Sequence, residues 1–145
     1  MNRRVLILCT GNSARSQMAE GLLRELTGGR IDVMSAGTAP SQVNPLAIQA
    51  MRERGIDISH HRSKHLNEFL QQPFDVVITV CDAAAEQCPV FPGPTQRIHW
   101  SFPDPAAAKG TEAERLKAFR QVRDALEAQL RTWLERTPEE RLMDK

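Results

Sequence analysis

The sequence predicts an α/β fold of three layers, in which helices cover both faces of a four-stranded parallel sheet. Short apolar runs of strand length alternate along the chain with segments whose apolar residues recur at helical spacing. The strand runs are apolar throughout, which is typical of parallel strands buried on both faces. With 145 residues, 41% of them hydrophobic, the chain is large enough to bury one core, and we expect residues 1–145 to form a single domain.

The first half of the chain is predicted to form a strand, a helix, a second strand and a second helix. Glycine ends each helix, and an asparagine cap followed by proline begins the second. These elements are a strand over Val5–Leu8, a helix from Ser13 or Ala14 to about Gly28, a strand over Ile31–Ser35 and a helix between Asn44 and Gly55.

The second half is predicted to add two strands and a long helix. The long helix begins with the capping-box pattern Thr-Glu-Ala-Glu. The elements are a short helix over Lys64–Leu70, strands over Phe74–Val80 and Arg97–Trp100, and a helix from Thr111 to about Arg136. The apolar spacing of the last helix predicts a buried stripe of Leu116, Phe119, Val122, Leu126, Leu130 and Trp133.

The segment between the first strand and the first helix contains the pattern Cys-x5-Arg, formed by Cys9 and Arg15. A turn that leads into a helix directs several backbone N–H groups at one point, and the helix dipole adds positive charge there. The same field favours the thiolate form of a cysteine, and a guanidinium can bind two oxygens of an anion. We therefore predict a nucleophile aimed at a tetrahedral oxyanion. The predicted oxyanion-binding residues are Thr10, Gly11, Asn12, Ser13, Ala14, Arg15 and Ser16.

Two other interpretations of this segment remain open. Cys9 can be a small buried residue at the end of a strand, with Arg15 exposed on the helix. The segment can also bind an anion without performing chemistry, although such a module has no need of a cysteine.

Two further cysteines, Cys81 and Cys88, follow the third predicted strand. Ligands of parallel sheets bind at the carboxyl ends of the strands, so Cys81 and Cys9 are neighbours if the first and third strands are adjacent. If residues 81–88 were helical, the pair would lie about 10 Å apart along the axis, whereas a disulfide needs Cα atoms within about 7 Å. A Cys81–Cys88 disulfide therefore requires this segment to rearrange. For each of the two taken alone, a buried core residue is the favoured interpretation, because free cysteines are usually buried.

Five segments resemble the low-molecular-weight tyrosine phosphatases and, more closely, the thioredoxin-coupled arsenate reductases built on the same fold. They are Cys-Thr-Gly-Asn-Ser-Ala-Arg-Ser at 9–16, Ser-Ala-Gly-Thr at 35–38, Gly-Ile-Asp-Ile-Ser at 55–59, Val-Cys-Asp-Ala-Ala-Ala-Glu-Gln-Cys-Pro at 80–89 and His-Trp-Ser-Phe-Pro-Asp-Pro-Ala at 99–106. The first segment is shared by both branches. The second cysteine pair is what marks the reductase branch.

The resemblance implies reduction of arsenate to arsenite for arsenic detoxification. In that reaction Cys9 attacks arsenate and Asp104 protonates the leaving oxygen. Cys81 then attacks Cys9, arsenite leaves, and Cys88 attacks Cys81. External thioredoxin reduces the resulting disulfide; glutathione coupled through another protein is the alternative reductant. Phosphate and sulfate are expected to bind as analogues, with weak hydrolysis of small aryl phosphates. Asp104 also has a simpler interpretation, as a helix cap before Pro105.

A low-molecular-weight tyrosine phosphatase is the first alternative, and a non-catalytic redox or oxyanion sensor is the second. Phosphatases of this fold usually carry aromatic residues after the aspartate, whereas Ala106, Ala107 and Ala108 follow here and the chain contains no tyrosine. A rim of alanines admits a small inorganic anion but binds an aryl ester poorly. The sequence therefore favours the reductase.

Some reductases of this kind bind potassium through an asparagine, a glutamate, a serine and an aspartate. Asn12, Glu20 and Ser35 match, but Lys64 stands at the aspartate position. An ammonium repels a cation, so we expect no bound metal and an activity indifferent to potassium. The alternative is that Lys64 is merely solvated. The four histidines fit no zinc pattern and are expected at the surface or the rim.

The net charge and the hydropathy of the chain limit where the protein is expected in the cell and which partners it is expected to bind. The formal net charge of +1 gives no support for a nucleic-acid partner. No run approaches the roughly 20 apolar residues of a membrane span, and the run before Cys9 is too short for a signal peptide. We therefore expect a cytoplasmic protein whose cysteines stay reduced. We also expect a monomer without a bound cofactor.

Overall fold

The predicted helices and strands occur in the predicted order, and a short helix at 82–86 and a 3-10 turn at 105–107 are added to them. The computed structural model describes residues 3–136. Its elements are β1 (Arg3–Cys9), α1 (Arg15–Leu26), β2 (Ile31–Gly37), α2 (Pro45–Glu53), a 3-10 helix (Leu66–Phe69), β3 (Val76–Thr79), α3 (Asp82–Glu86), β4 (Gln96–His99), a 3-10 turn (Pro105–Ala107) and α4 (Glu112–Glu135).

Four parallel strands form one sheet in the order β2-β1-β3-β4. β1 is therefore central, with Cys9 opposite Gly37 of β2 and Leu8 opposite Thr79 of β3. The side chains of residues 5–8 in β1 are fully buried. Because successive side chains of a strand point to opposite faces, both faces of the sheet are covered. The expected three-layer α/β fold is confirmed.

β4 departs from the expectation that every strand is apolar. Gln96, Arg97 and His99 are exposed, and Ile98 is half-buried. β4 lies at the edge of the sheet, where polar and charged side chains discourage pairing with another chain. The expectation was wrong here because an edge strand buries less of its surface than a central one.

The caps of α2 and α4 are those that the sequence predicts. Asn44 Oδ1 accepts a hydrogen bond of 2.8 Å from Leu46 N. Thr111 N donates to Glu114 Oε1 at 2.9 Å, and Glu114 N donates to Thr111 Oγ1 at 3.1 Å. The buried residues of α4 are the predicted stripe. Within residues 3–136, no helix combines the length and the apolar character that crossing a membrane requires.

Candidate active site

The loop between β1 and α1 encloses one side of a cavity of about 280 Å³ at the carboxyl edge of the sheet. Three residues that the sequence analysis placed in chemical roles, Cys9, Arg15 and Asp104, line it together. The full lining is Cys9, Thr10, Gly11, Ser13, Ala14, Arg15, Ser41, Asp104 and Ala106. A nucleophile, a cation and a carboxyl group therefore face one space that suits a small anion.

The loop is fastened to the segment that follows β2. Cys9 O, Thr10 O and Gly11 O accept hydrogen bonds of 3.2, 2.9 and 3.1 Å from the backbone N–H groups of residues 38, 39 and 41. Gly37 makes this approach possible, because a Cβ there would collide with the carbonyl oxygen of Thr10. The glycine of the Ser-Ala-Gly-Thr segment is thus required by close backbone contact.

Asn12 supports the loop from below and does not line the cavity. Its backbone lies in the left-handed region, with φ of 48°, which non-glycine residues adopt only when neighbours stabilise it. Its Nδ2 donates to Ser16 Oγ at 2.8 Å and to Ser35 Oγ at 2.9 Å. Its Oδ1 accepts from Gln17 Nε2 at 2.9 Å and from Lys64 N at 2.8 Å. Both ends of this buried amide are therefore bonded, which holds the bend of the loop.

Cys9 lies at the base of the cavity and is 2% exposed. Its Sγ is 2.9 Å from Ser16 Oγ. Since Ser16 Oγ already accepts a hydrogen bond from Asn12 Nδ2, its own O–H is available to donate to sulfur. Ser16 therefore acts on the sulfur from beneath, outside the cavity lining.

Arg15 and Asp104 contribute a cation and a carboxyl group to the same lining. Arg15 Nη1 donates to Phe102 O at 3.0 Å, which fixes the guanidinium toward the loop that carries Asp104. Asp104 Oδ1 accepts from Ala106 N at 3.0 Å. Asp104 is thus a turn cap, as the simpler interpretation holds, and it also lines the cavity.

Ser41 and Phe102 are contributors that the sequence analysis missed. Ser41 lines the cavity, and the carbonyl of Phe102 holds Arg15. Ser41 lies outside the five matching segments, and Phe102 lies within the segment 99–106 but was given no role there. The one available signal was position, because both follow the carboxyl ends of predicted parallel strands, where such sites form.

Cys81 is brought to this loop by the pairing of β3 with β1. Its Sγ lies 3.3 Å from Oγ1 of Thr10, the residue that follows Cys9. Cys81 is 5% exposed and precedes α3. Cys88 lies two residues beyond the end of α3 and is half-buried. All three thiols are free. α3 is shorter than a helix over residues 81–88, since it ends at Glu86.

The residues implied as potassium ligands do not fit a cation. Lys64 Nζ lies 3.9 Å from Glu20 Oε1, and the side chain of Lys64 is 13% exposed. Ser35 Oγ donates to Glu20 Oε1 at 2.5 Å. Burial lowers the pKa of Lys64, an effect that the Glu20 carboxylate opposes. The ammonium group is thus packed against the carboxylate that a cation would need, and the lysine is not simply solvated.

The histidines divide into different environments. His60 and His99 are exposed. The side chain of His61 is only 6% exposed, so the expectation of a position at the surface or the rim was wrong for it. His61 Nδ1 is 2.8 Å from Gln17 Oε1, and burial lowers its pKa. In the part of the chain from 3 to 136, no group of three or more His, Cys, Asp or Glu side chains is arranged to hold a metal.

This chain is similar in sequence and in fold to known phosphatases and arsenate reductases. The family model described as low molecular weight phosphotyrosine protein phosphatase matches residues 4–143. The arsenate reductase of Halalkalibacterium halodurans is 47% identical over 136 residues, which cover 93% of this chain and 98% of that protein. A solved arsenate reductase in its oxidised state matches with a TM-score of 0.77 at 34% identity, covering 90% of this chain and 95% of that chain. The thioredoxin-dependent arsenate reductase of Corynebacterium glutamicum matches with a TM-score of 0.73 at 26% identity, covering 92% of this chain and 61% of that chain.

Proposed function

We propose that this chain, which belongs to the low molecular weight phosphotyrosine protein phosphatase family, reduces arsenate to arsenite by a relay of three cysteines. Curated relatives named arsenate reductase cover nearly its whole length. The observation that supports the relay best is the 3.3 Å contact between Cys81 Sγ and Thr10 Oγ1, which brings a second sulfur to the loop that carries Cys9. A phosphatase that only hydrolyses its substrate needs no such sulfur.

The first step of the proposal forms a bond between sulfur and arsenic. Arsenate enters the cavity, where Arg15 and the loop amides bind its oxygens. The Cys9 thiolate attacks arsenic, one arsenic–oxygen bond breaks, and Asp104 protonates the departing oxygen, which leaves as water. The place of Asp104 in the cavity lining puts its carboxyl group within reach of a bound anion.

The second step transfers two electrons to arsenic. Cys81 attacks Cys9 Sγ, a sulfur–sulfur bond forms, and the sulfur–arsenic bond breaks with its electron pair on arsenic. Arsenic passes from the pentavalent to the trivalent state and leaves as arsenite. The two sulfurs supply the electrons and end as a Cys9–Cys81 disulfide.

The remaining steps restore the nucleophile. Cys88 attacks Cys81, a Cys81–Cys88 disulfide forms, and Cys9 leaves as a thiolate. A dithiol of the thioredoxin type then reduces this disulfide by exchange. The proposal includes thioredoxin because a structural relative is named as thioredoxin-dependent. It places the protein in the cytoplasm, where thiols are kept reduced.

A coupled assay tests the proposal. Protein, arsenate, thioredoxin, thioredoxin reductase and NADPH are mixed, and NADPH loss is followed for the wild type and for Cys88→Ser. We expect sustained turnover in the wild type. In Cys88→Ser we expect about one arsenite per chain and then arrest, because Cys9 and Cys81 suffice for one cycle.

Two other outcomes contradict the proposal in different ways. Hydrolysis of aryl phosphate without arsenite formation by the wild type would indicate a phosphatase. Oxyanion binding without either reaction would indicate a sensor. Sustained turnover by Cys88→Ser at the wild-type rate would remove Cys88 from the relay.

A further inference from the structure

Cys88 lies beside the exposed edge strand of the sheet. A cavity of about 150 Å³ separates the end of α3 from β4, and Cys88, Arg97 and His99 contribute to its lining. Arg97 and His99 are two residues apart in β4 and therefore project from the same face of the strand. Two basic side chains thus line the same cavity as the half-buried thiol.

Arg97 reaches the backbone next to Cys88. Its Nη2 donates to Pro89 O at 2.7 Å, and Cys88 Sγ contacts the same oxygen at 3.6 Å. The guanidinium and the thiol therefore share one carbonyl acceptor, which places the positive charge next to the sulfur. Burial raises the pKa of the Cys88 thiol, and the charge of Arg97 acts in the opposite direction.

His99 is engaged elsewhere. Its Nε2 lies 2.8 Å from Asp82 Oδ1, and its Nδ1 lies 2.8 Å from Thr79 Oγ1. The hydrogen bond from His99 lowers the pKa of the Asp82 carboxyl. This pair holds the start of α3, next to Cys81, whereas Arg97 holds the segment just beyond Cys88. The two contacts join both ends of the cysteine-bearing segment to β4.

We propose that Arg97 is a positioning residue for the step in which Cys88 attacks Cys81. It holds the Pro89 carbonyl against β4 and keeps a cation beside the sulfur that must become a thiolate. In this step the Cys88 proton passes to solvent, the Cys81–Cys88 bond forms, the Cys9–Cys81 bond breaks, and Cys9 leaves as a thiolate. The step exchanges one disulfide for another without net oxidation. The inference rests on the proposed function, because only the relay uses Cys88 as a nucleophile.

Alkylation of the reduced full-length protein by iodoacetamide at a series of pH values tests the contact, with Cys88 followed in its peptide by mass spectrometry. Arg97→Gln keeps a hydrogen-bond donor but removes the charge, and Arg97→Lys keeps the charge. We expect Arg97→Gln to raise the midpoint of Cys88 alkylation by about one pH unit and to lower the rate at pH 7 by about tenfold. Arg97→Lys is expected to retain most of the wild-type reactivity. Gln96→Ala, on the opposite face of the same strand, serves as the matched control.

A second measurement keeps the test independent of variant folding. In the wild type, raising the salt concentration screens the partly exposed guanidinium, so the midpoint of Cys88 alkylation is expected to rise.

With arsenate and without thioredoxin, Arg97→Gln is expected to accumulate the Cys9–Cys81 disulfide, whereas the wild type proceeds to Cys81–Cys88.

The possible failures are distinguishable. If Arg97→Gln alkylates and reaches the Cys81–Cys88 disulfide as the wild type does, the role of Arg97 is refuted and the relay stands. If the wild type forms no arsenite, the relay is refuted and the role of Arg97 in it falls as well. Alkylation, which needs no arsenate, still reports the contact in that case.

Discussion

The ammonium group of Lys64 lies 3.9 Å from the carboxylate of Glu20, beneath the loop that carries Cys9. Glu20 accepts from Ser35, and Ser35 accepts from Asn12, whose side chain holds the bend of the loop. Lys64 and Arg24, whose Nη2 lies 2.6 Å from Glu20 Oε2, therefore both balance the buried carboxylate of the network that supports the nucleophile. This arrangement bears directly on how the enzyme responds to salt.

Arsenate turnover is expected to be insensitive to the choice of potassium or sodium. Because the ammonium of Lys64 already faces Glu20, the rates in the two chlorides should agree within about twofold at equal ionic strength. Lys64→Asp removes this cation and adds a second carboxylate, so that variant is expected to gain stimulation by potassium. Lys109→Asp, at an exposed position, is the control. A several-fold stimulation of the wild type by potassium would contradict the expectation.

Asp104→Asn is expected to slow the first chemical step by about 10² to 10³-fold, the usual range for loss of a general acid. An asparagine oxygen can still accept from Ala106 N, so the turn over Pro105–Ala107 should persist. Rapid-quench measurement of the first arsenite, together with hydrolysis of p-nitrophenyl phosphate, reads the effect. Unchanged rates in both assays would assign Asp104 to capping alone.

Gly37→Ala is expected to lower the free energy of unfolding by about 2–3 kcal/mol and to weaken phosphate binding. A Cβ at this position meets the Thr10 carbonyl and the Asn12 backbone, neither of which can move without displacing the loop. Urea unfolding measures the first effect and calorimetric titration with phosphate the second.

Gly11→Ala is the matched control for stability, because a Cβ there meets side-chain atoms at an ordinary 3.5 Å. It should leave the free energy of unfolding nearly unchanged. Equal destabilisation by Gly11→Ala and Gly37→Ala would show that close approach of the backbone is not the reason for Gly37.

Glu127→Gln tests the ion pair that joins α4 to α2. Arg54 donates to both Glu127 oxygens at 2.9 Å. These bonds, together with those from Arg131, lower the pKa of Glu127 from 4.5 to about 2. When folding lowers the pKa of a carboxyl group, the group stabilises the protein at pH values above its pKa in the unfolded chain. That stabilisation is lost as the pH falls through its pKa in the folded protein. The contribution is therefore complete above about pH 5 and is lost between 4.5 and about 2.

At pH 7, Glu127→Gln is expected to lower the free energy of unfolding by about 1–2 kcal/mol. This is less than the full pKa shift implies, because solvent partly screens the ion pair. Unfolding of the wild type and of Glu127→Gln is compared by urea titration at pH 7 and near pH 3, where the difference should shrink. Glu135→Gln, at an exposed position near the end of the same helix, is the control. A difference that is independent of pH would indicate a packing effect instead.

The sequence predicted those structural features whose residues lie close together within one helix, strand or loop. The stripe of α4, the caps at Asn44 and Thr111, and the position of Cys9 between a buried strand and a helix are all local patterns. A period of hydrophobicity or a cap is decided by residues within a few positions of one another, so these features can be recognised without a partner. The segments that resemble the reductases also pointed to Asp104, which lines the cavity with Cys9.

Tertiary structure alone decided which distant groups meet. Thr10 and Cys81 are 71 positions apart and touch because β3 pairs with β1; the sequence only made that pairing one possibility. Ser41 lines the cavity because its backbone N–H is hydrogen-bonded to Gly11 O. His61 is buried against Gln17. No local sequence pattern predicted either placement. The periodicity of a segment records how much of it is buried. It does not record which segment covers it, since that depends on the packing of the whole chain.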